Sequence, residues 1–335
     1  MKRALLLTWT AAALALLAGC PSAKEKQKVI TIDGSSTVFP VSEVAAEEFQ
    51  KVRKGVKVTV GTSGTGGGFK KFVRGETDVS DASRPILKRE IDLAGENGVE
   101  YVELPICFDA LTVVVSKDND WVDHLSIAEL KTMWDKDSKG KVTRWSDIRP
   151  GWPQEKFVLF GPGTDSGTFD YFTEAVNGKS GRSRDDYTAS EDDNVLVRGV
   201  AGSKYGLGYF GFSYYAEHKD KLKAVPIRWD KGKVKEPVAP SAKGILEGTY
   251  APLSRPLFLY VNKKSAETRP EVKAFVEFYL KNAAALARRK QYVPLPKNAY
   301  AMCQERFAKL QTGSGFGGEP EVGLPIEDIL KRRPR

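Results

Sequence analysis

Histidine is nearly missing from this 335-residue chain: only His124 and His218 occur. Neither stands in a metal-ligand spacing, and no Gly-x-Ser-x-Gly elbow presents a nucleophile. An exported hydrolase built on a histidine base or a histidine-held metal therefore has little to work with. Cysteine is almost as scarce, with Cys20, Cys107 and Cys303 alone. No zinc-finger spacing or aromatic-basic RNA motif is present, and the lysines are spread rather than gathered, which argues against a nucleic-acid partner. Nucleotide loops are missing too. Gly61 and Gly66 have the Walker spacing, but Gly67 and Gly68 follow where lysine and a hydroxyl belong. A dinucleotide fingerprint starting at Gly64 fails at Phe69.

What remains is a chain of 41% hydrophobic and 28% charged residues, the balance of a soluble globular protein. Its length suggests two domains, or one domain split in two. The net charge of +9 favours anionic ligands or surfaces through long-range attraction. Met1-Lys2-Arg3 is a basic start, and residues 4–18 form an apolar run too short for an ordinary spanning helix. Leu17-Ala18-Gly19-Cys20 resembles a bacterial lipobox. That resemblance implies a leader over residues 1–19, a lipid on the Cys20 thiol, and a lysine-rich tether over residues 20–27.

Three stretches repeat one local design. Val29 to Ile32 reads as a strand and runs through Gly34-Ser35-Ser36-Thr37 into a helix-spaced segment. Val56 to Val60 alternates as a strand does and leads through Gly61-Thr62-Ser63-Gly64-Thr65-Gly66-Gly67-Gly68 into a second helix. Phe157 to Phe160 leads through Gly163-Thr164-Asp165-Ser166-Gly167-Thr168 into a third. A strand followed by glycines, hydroxyls and a helix start suits an anion. The first helical amides have no internal partner, carry partial positive charge and aim at bound oxyanions. Elsewhere, Tyr101 to Ile106 and Leu111 to Ser116 read as strand segments. Ser126 and Glu129 have capping-box spacing, and Pro270 to Arg288 reads as an amphipathic helix. The glycine-rich tail from Gly313 reads as loosely attached.

The order of Gly34-Ser35-Ser36-Thr37, Gly64-Thr65-Gly66-Gly67-Gly68, Asp78 through Pro85, Asp165-Ser166-Gly167-Thr168-Phe169 and Pro252-Leu253-Ser254-Arg255-Pro256-Leu257 resembles the phosphate-binding proteins of bacterial phosphate ABC transporters, from about Val29 to Phe307. The resemblance implies an α/β, two-lobed periplasmic-binding-protein-like fold of type II, with a two-strand hinge and an interlobe ligand cleft. Lobe I is expected over residues 28–107 and 256–335 and lobe II over 108–255. The chain is expected to cross between them at 105–111 and 254–259.

By that resemblance inorganic phosphate is held by Ser36, Thr37, Thr65 and the Gly66 amide, and across the cleft by Ser166, the Gly167 amide and Thr168. Ser63 is expected to serve the turn instead. Relatives carry an arginine where this chain has Pro162, so Arg84 is expected to supply the cation, with a surface ion pair to Asp81 or Asp78 as its bland reading. Ser83 is expected among the phosphate-binding residues too, but it stands where relatives carry a carboxylate, which leaves Asp81 or Asp165 as the acceptor for the phosphate proton. With Cys20 lipidated, Cys107 and Cys303 fall near the same lobe. They are expected either to pair or to remain as two buried thiols. The resemblance implies a monomeric, lipid-anchored, extracytoplasmic carrier. It would do no catalysis, need no cofactor or metal, and deliver its ligand to permease subunits. Sulfate or molybdate is the alternative ligand.

Overall fold

The computed structural model describes residues 28–164, 166–190, 192–319, 321 and 325–333. Cys20 and Asp165 lie outside the described residues. The first part of the chain forms β1 (Lys28–Gly34), α1 (Phe39–Val52), β2 (Val56–Gly61), α2 (Thr65–Phe72), β3 (Val79–Ala82), α3 (Lys88–Glu96) and β4 (Tyr101–Ser116). Its middle forms β5 (Leu125–Ser126), α4 (Ile127–Trp134), β6 (Val158–Gly161), α5 (Gly167–Asn177), β7 (Thr188–Ala189), α6 (Asp193–Ala201), β8 (Gly206–Gly211) and α7 (Phe212–Glu217). Then come β9 (Leu222–Ala224), β10 (Ile227–Arg228), α8 (Ala242–Leu246), β11 (Ser254–Asn262), α9 (Lys263–Thr268), α10 (Pro270–Arg289), β12 (Val293–Pro294), α11 (Lys297–Ala308) and α12 (Ile326–Lys331).

β4 joins two sheet regions. The order is β2-β1-β3-β11-β4-β8-β6-β7, with β12 and β9 pairing β4 off this path. β1, β2 and β3 run parallel, whereas β11 is antiparallel to both β3 and β4. Residues Tyr101 to Ala110 of β4 pair with β11, and Leu111 to Val115 pair with β8. Every one of its 16 residues is buried, as expected for a strand covered on both faces. The two segments read from the sequence are therefore one strand, despite Pro105. The ladder shifts register between Leu257 and Phe258, where Phe258 faces Pro105. A proline has no amide to donate, and an irregularity at that point accommodates it.

Alternation along β3 decides what covers each face. Ser80 points at Gly68 of α2, while Asp81 lies beside Ser42 of α1 and Tyr279 of α10. α2 rides so close to β1 that a Cβ on Gly68 would stand 2.5 Å from the Gly34 Cα. On the other face Phe49 meets Phe275 edge-on at 5.3 Å. In the second sheet region the fully buried Trp134 touches the rings of Phe172, Tyr187 and Tyr209. Ser126 caps α4, and Glu129 returns the bond to the Ser126 amide, completing the expected box. α10 covers the span read as amphipathic.

Two expectations are corrected. Cys107 and Cys303 are both free and buried, so the disulfide alternative gives way to two thiols. Cys303 Sγ donates instead to the Pro105 carbonyl at 3.5 Å, and burial pushes its thiol up to about 12. Nor is the described part of the tail loose. The buried Glu103 carboxylate accepts from Ser314 Oγ at 2.5 Å, the Gly315 amide at 2.9 Å and Tyr260 Oη at 2.8 Å. Phe316, Ile326 and Ile329 are then buried against the body. A buried donor left without an acceptor costs about 1–3 kcal/mol. Glu103→Ala strands three such groups and is expected to lower unfolding stability by about 3 kcal/mol, read by urea denaturation.

Candidate functional site

The helices α1, α2 and α5 all start at the carboxyl ends of parallel strands, the side of an open α/β sheet where ligands collect. At the first, Ser35 donates its amide to the Asp81 carbonyl at 2.9 Å, and Ser35 Oγ accepts from the Thr37 amide at 3.2 Å. No side chain caps α1, and its N-terminal residue pair includes Pro40. At the second, Gly64 takes φ 75°, a left-handed conformation that favours glycine. The first helical bond of α2 runs from the Gly68 amide to the Gly64 carbonyl, so the amides of residues 65–67 precede the ladder. Asp33 anchors this turn. It accepts from the Ser63 amide at 3.1 Å, from Ser63 Oγ and from Lys71 Nζ. Burial pushes the Asp33 carboxyl up, but the Lys71 and Ser63 bonds outweigh it and hold its pKa below the ordinary value. Ser63 thus serves the turn, as the resemblance implied.

Ser83 closes the space between the turns. Its hydroxyl lies 3.0 Å from Thr65 Oγ1, and its amide donates to the same oxygen at 3.2 Å. Ser36, Thr37, Thr65, Gly66, Ser83 and Arg84 all line one cleft of about 220 Å³. From the other side come Asp170 and Glu174 of α5 together with Ser180.

The third turn abuts the first rather than lining the cleft. Ser166, Gly167 and Thr168 are absent from this lining. Ser166 Oγ is used as the α5 cap, accepting from the Thr168 amide at 3.2 Å. Gly167 nevertheless packs on the first turn: a Cβ there would stand 3.0 Å from Thr37 Oγ1. The α1 and α5 N-termini therefore meet, and α5 enters the cleft one turn later.

The cation is the larger surprise. Arg84 does line the cleft, but Glu90 holds both its arms, at 2.8 and 2.7 Å. Neither Asp81 nor Asp78 takes it; Asp78 pairs with Arg269 at 2.6 Å. Arg255, at the start of β11, reaches into the same cleft. Its guanidinium lies 3.6 Å from the centre of the Tyr171 ring. One arm donates to Thr37 Oγ1 at 3.2 Å, another lies 3.6 Å from Glu174, and Nε is 3.9 Å from Asp109. Asp109 is buried, which pushes its carboxyl up to about 6 although Arg255 pulls it down. Arg255 lies within the Pro252–Leu257 motif, which by itself assigns it no role. Its one local signal is a guanidinium three residues beyond one proline and just before another.

Asp81 does not line the cleft. Its carboxyl sits on the α1 face of β3, fully buried, with neither oxygen hydrogen-bonded among the described residues. The histidines stand apart as well: His124 pairs with Asp123, and His218 Nδ1 lies 2.9 Å from the Tyr214 carbonyl.

The PBP superfamily domain matches residues 21–283. Protein SphX of Synechococcus elongatus is 48% identical over 99% of this chain and 96% of its own length. The phosphate-binding protein PstS of Staphylococcus saprophyticus is 41% identical over 82% of this chain and 83% of its own. Among solved structures, a possible phosphate binding protein from Planctomyces limnophilus superposes with a TM-score of 0.81 at 48% identity, covering 85% of this chain and 99% of that one.

Proposed function

The chain belongs to the family of SphX and the PstS phosphate-binding proteins within the PBP superfamily, and from that premise we propose that it captures inorganic phosphate in its cleft and delivers it to the permease of an ABC transporter. The family's work is extracytoplasmic, and a lipid on Cys20 would keep the protein at a membrane while leaving it in that space. The observation that carries the reading is the meeting of two uncapped turns, those of Thr37 and Thr65, with the Arg255 guanidinium in one small cleft. Hydroxyls and aimed amides replace the water around a tetrahedral ion, and charge-assisted bonds contribute about 1.5–3 kcal/mol each.

The two sheet regions act as lobes in this reading, with β4 and β11 as the paired hinge strands. The start of α5, already packed on the Thr37 turn, adds Ser166, the Gly167 amide and Thr168 to an ion held by Ser36, Thr37, Thr65, Gly66 and Ser83, and closure tightens that contact. Arg255 is the principal cation and Arg84 a secondary one. Asp81 faces away from the ion, so Glu174, beside Arg255, takes the role of acceptor for the phosphate proton. No covalent step is needed, and the protein is read as a carrier rather than an enzyme.

Calorimetry with phosphate, sulfate, arsenate and molybdate tests the ligand. Phosphate is expected to bind near the micromolar range, about −8 kcal/mol, and sulfate far more weakly. Thr168→Ala is expected to weaken phosphate binding by about 1–2 kcal/mol. Unchanged affinity in that variant would remove the third turn from the site.

A further inference from the structure

The phosphate cleft does not end at its polar wall. Ser83, Arg84, Glu174 and Arg255 also border a second cavity of about 200 Å³. Its walls have the opposite character. Phe108 comes from β4, Ile245 from α8, and Phe316, Ile326 and Ile329 from the C-terminal segment. All five are at most 6% exposed. The Tyr171 ring, on which Arg255 lies, forms a further wall. The acids at the rim are matched, Glu174 by Arg255 and Glu321 by Arg332. A polar anion seat thus adjoins an apolar branch, with Arg255 among the wall residues they share.

Inorganic phosphate has no apolar surface with which to use that branch. An apolar cavity of about 150 Å³ is enough to take up benzene, and ligand pockets characteristically join an apolar lining to a few fixed polar groups. Resting on the proposed reading of the cleft, we propose that the site also binds phosphonates and phosphate monoesters bearing one small apolar substituent. The phosphoryl oxygens occupy the turns of Thr37 and Thr65, and the substituent lies in the branch between Tyr171 and Phe316. One oxygen fewer meets donors, and burial of the substituent offsets that loss.

Calorimetry on the full chain tests this with inorganic phosphate, methylphosphonate and phenylphosphonate. Phenylphosphonate is expected to bind at least tenfold more tightly than methylphosphonate, whose substituent is too small to fill the branch. Ala175 borders the branch but not the phosphate cleft. Ala175→Phe is expected to erase that difference while leaving phosphate affinity within twofold, with a thermal midpoint confirming the variant's fold. Phenylphosphonate binding no tighter than methylphosphonate, or an undiminished difference in the folded variant, overturns the inference while phosphate binding still stands. Phenylphosphonate binding without phosphate binding would overturn the phosphate reading alone, and binding of neither would overturn both.

Discussion

Arg255→Ala is expected to weaken phosphate binding by about 4 kcal/mol, roughly a thousandfold, the largest loss of any single substitution in the cleft. Three consequences add in the same direction. The ion loses its best-placed cation, which is only 15% exposed and so little screened by water. Thr37 Oγ1 loses the donor that orients it. Glu174, now paired with Arg255, is left facing the anion across the cleft, and the buried Asp109 loses its neighbouring cation. Arg255→Lys keeps the charge but not the flat contact with Tyr171 or the forked donors, so it is expected to recover only part of the affinity. Arg84→Ala provides the contrast. Its guanidinium is already committed to Glu90, and the expected loss is about 1 kcal/mol. Calorimetry at one ionic strength compares the three variants, and equal losses from Arg84 and Arg255 would refute the assignment.

That contrast also marks how far the sequence could be read. The turns at Thr37 and Thr65 were legible because each is local: strand, glycine or hydroxyl, and helix start lie within a dozen residues. The Ser126–Glu129 box was legible for the same reason. Arg255 was not, because its bond to Thr37 spans 218 residues and only the pairing of β11 beside β3 and β4 brings it there. The engagement of Arg84 depends on Glu90, six residues away across the start of α3. The ion-pair reading of Arg84 names Asp81 or Asp78, whereas the acid that holds it is Glu90. Asp81 failed on strand parity. Ser80 and Asp81 must face opposite sides of β3, and which side meets the ligand depends on which helix covers it. The tail misled because glycines suggest looseness, whereas the anchor, Glu103, lies 211 residues upstream of Ser314.

Asp81→Asn is expected to stabilise the protein increasingly as pH rises, by about 4 kcal/mol near pH 7. Burial pushes the Asp81 carboxyl from its ordinary value of 3.8 up to about 8; Asp33 adds to the shift and Ser42 opposes it. Below about pH 4 both the folded and the unfolded chain hold the proton, so the group makes no difference to stability. Between about pH 4 and 8 the unfolded chain has released it while the folded chain keeps it. Stability then falls by about 1.4 kcal/mol per pH unit from this group and levels off above about pH 8. Asparagine keeps the shape without the titration. The difference between variant and parent should therefore be small near pH 4 and grow through neutrality, read by urea unfolding across that range. A difference that stays constant with pH would mean that Asp81 is ionised in the folded protein. The same protonation bears on the cleft. The Asp81 carbonyl holds the Ser35 amide of the first turn, so an ionised carboxylate on the same residue would oppose an anion held at that turn. Kept neutral, it adds no further negative charge against Arg255 and the helix starts. Asp81→Asn should accordingly preserve phosphate affinity near pH 7 and, above about pH 8, bind more tightly than the parent protein.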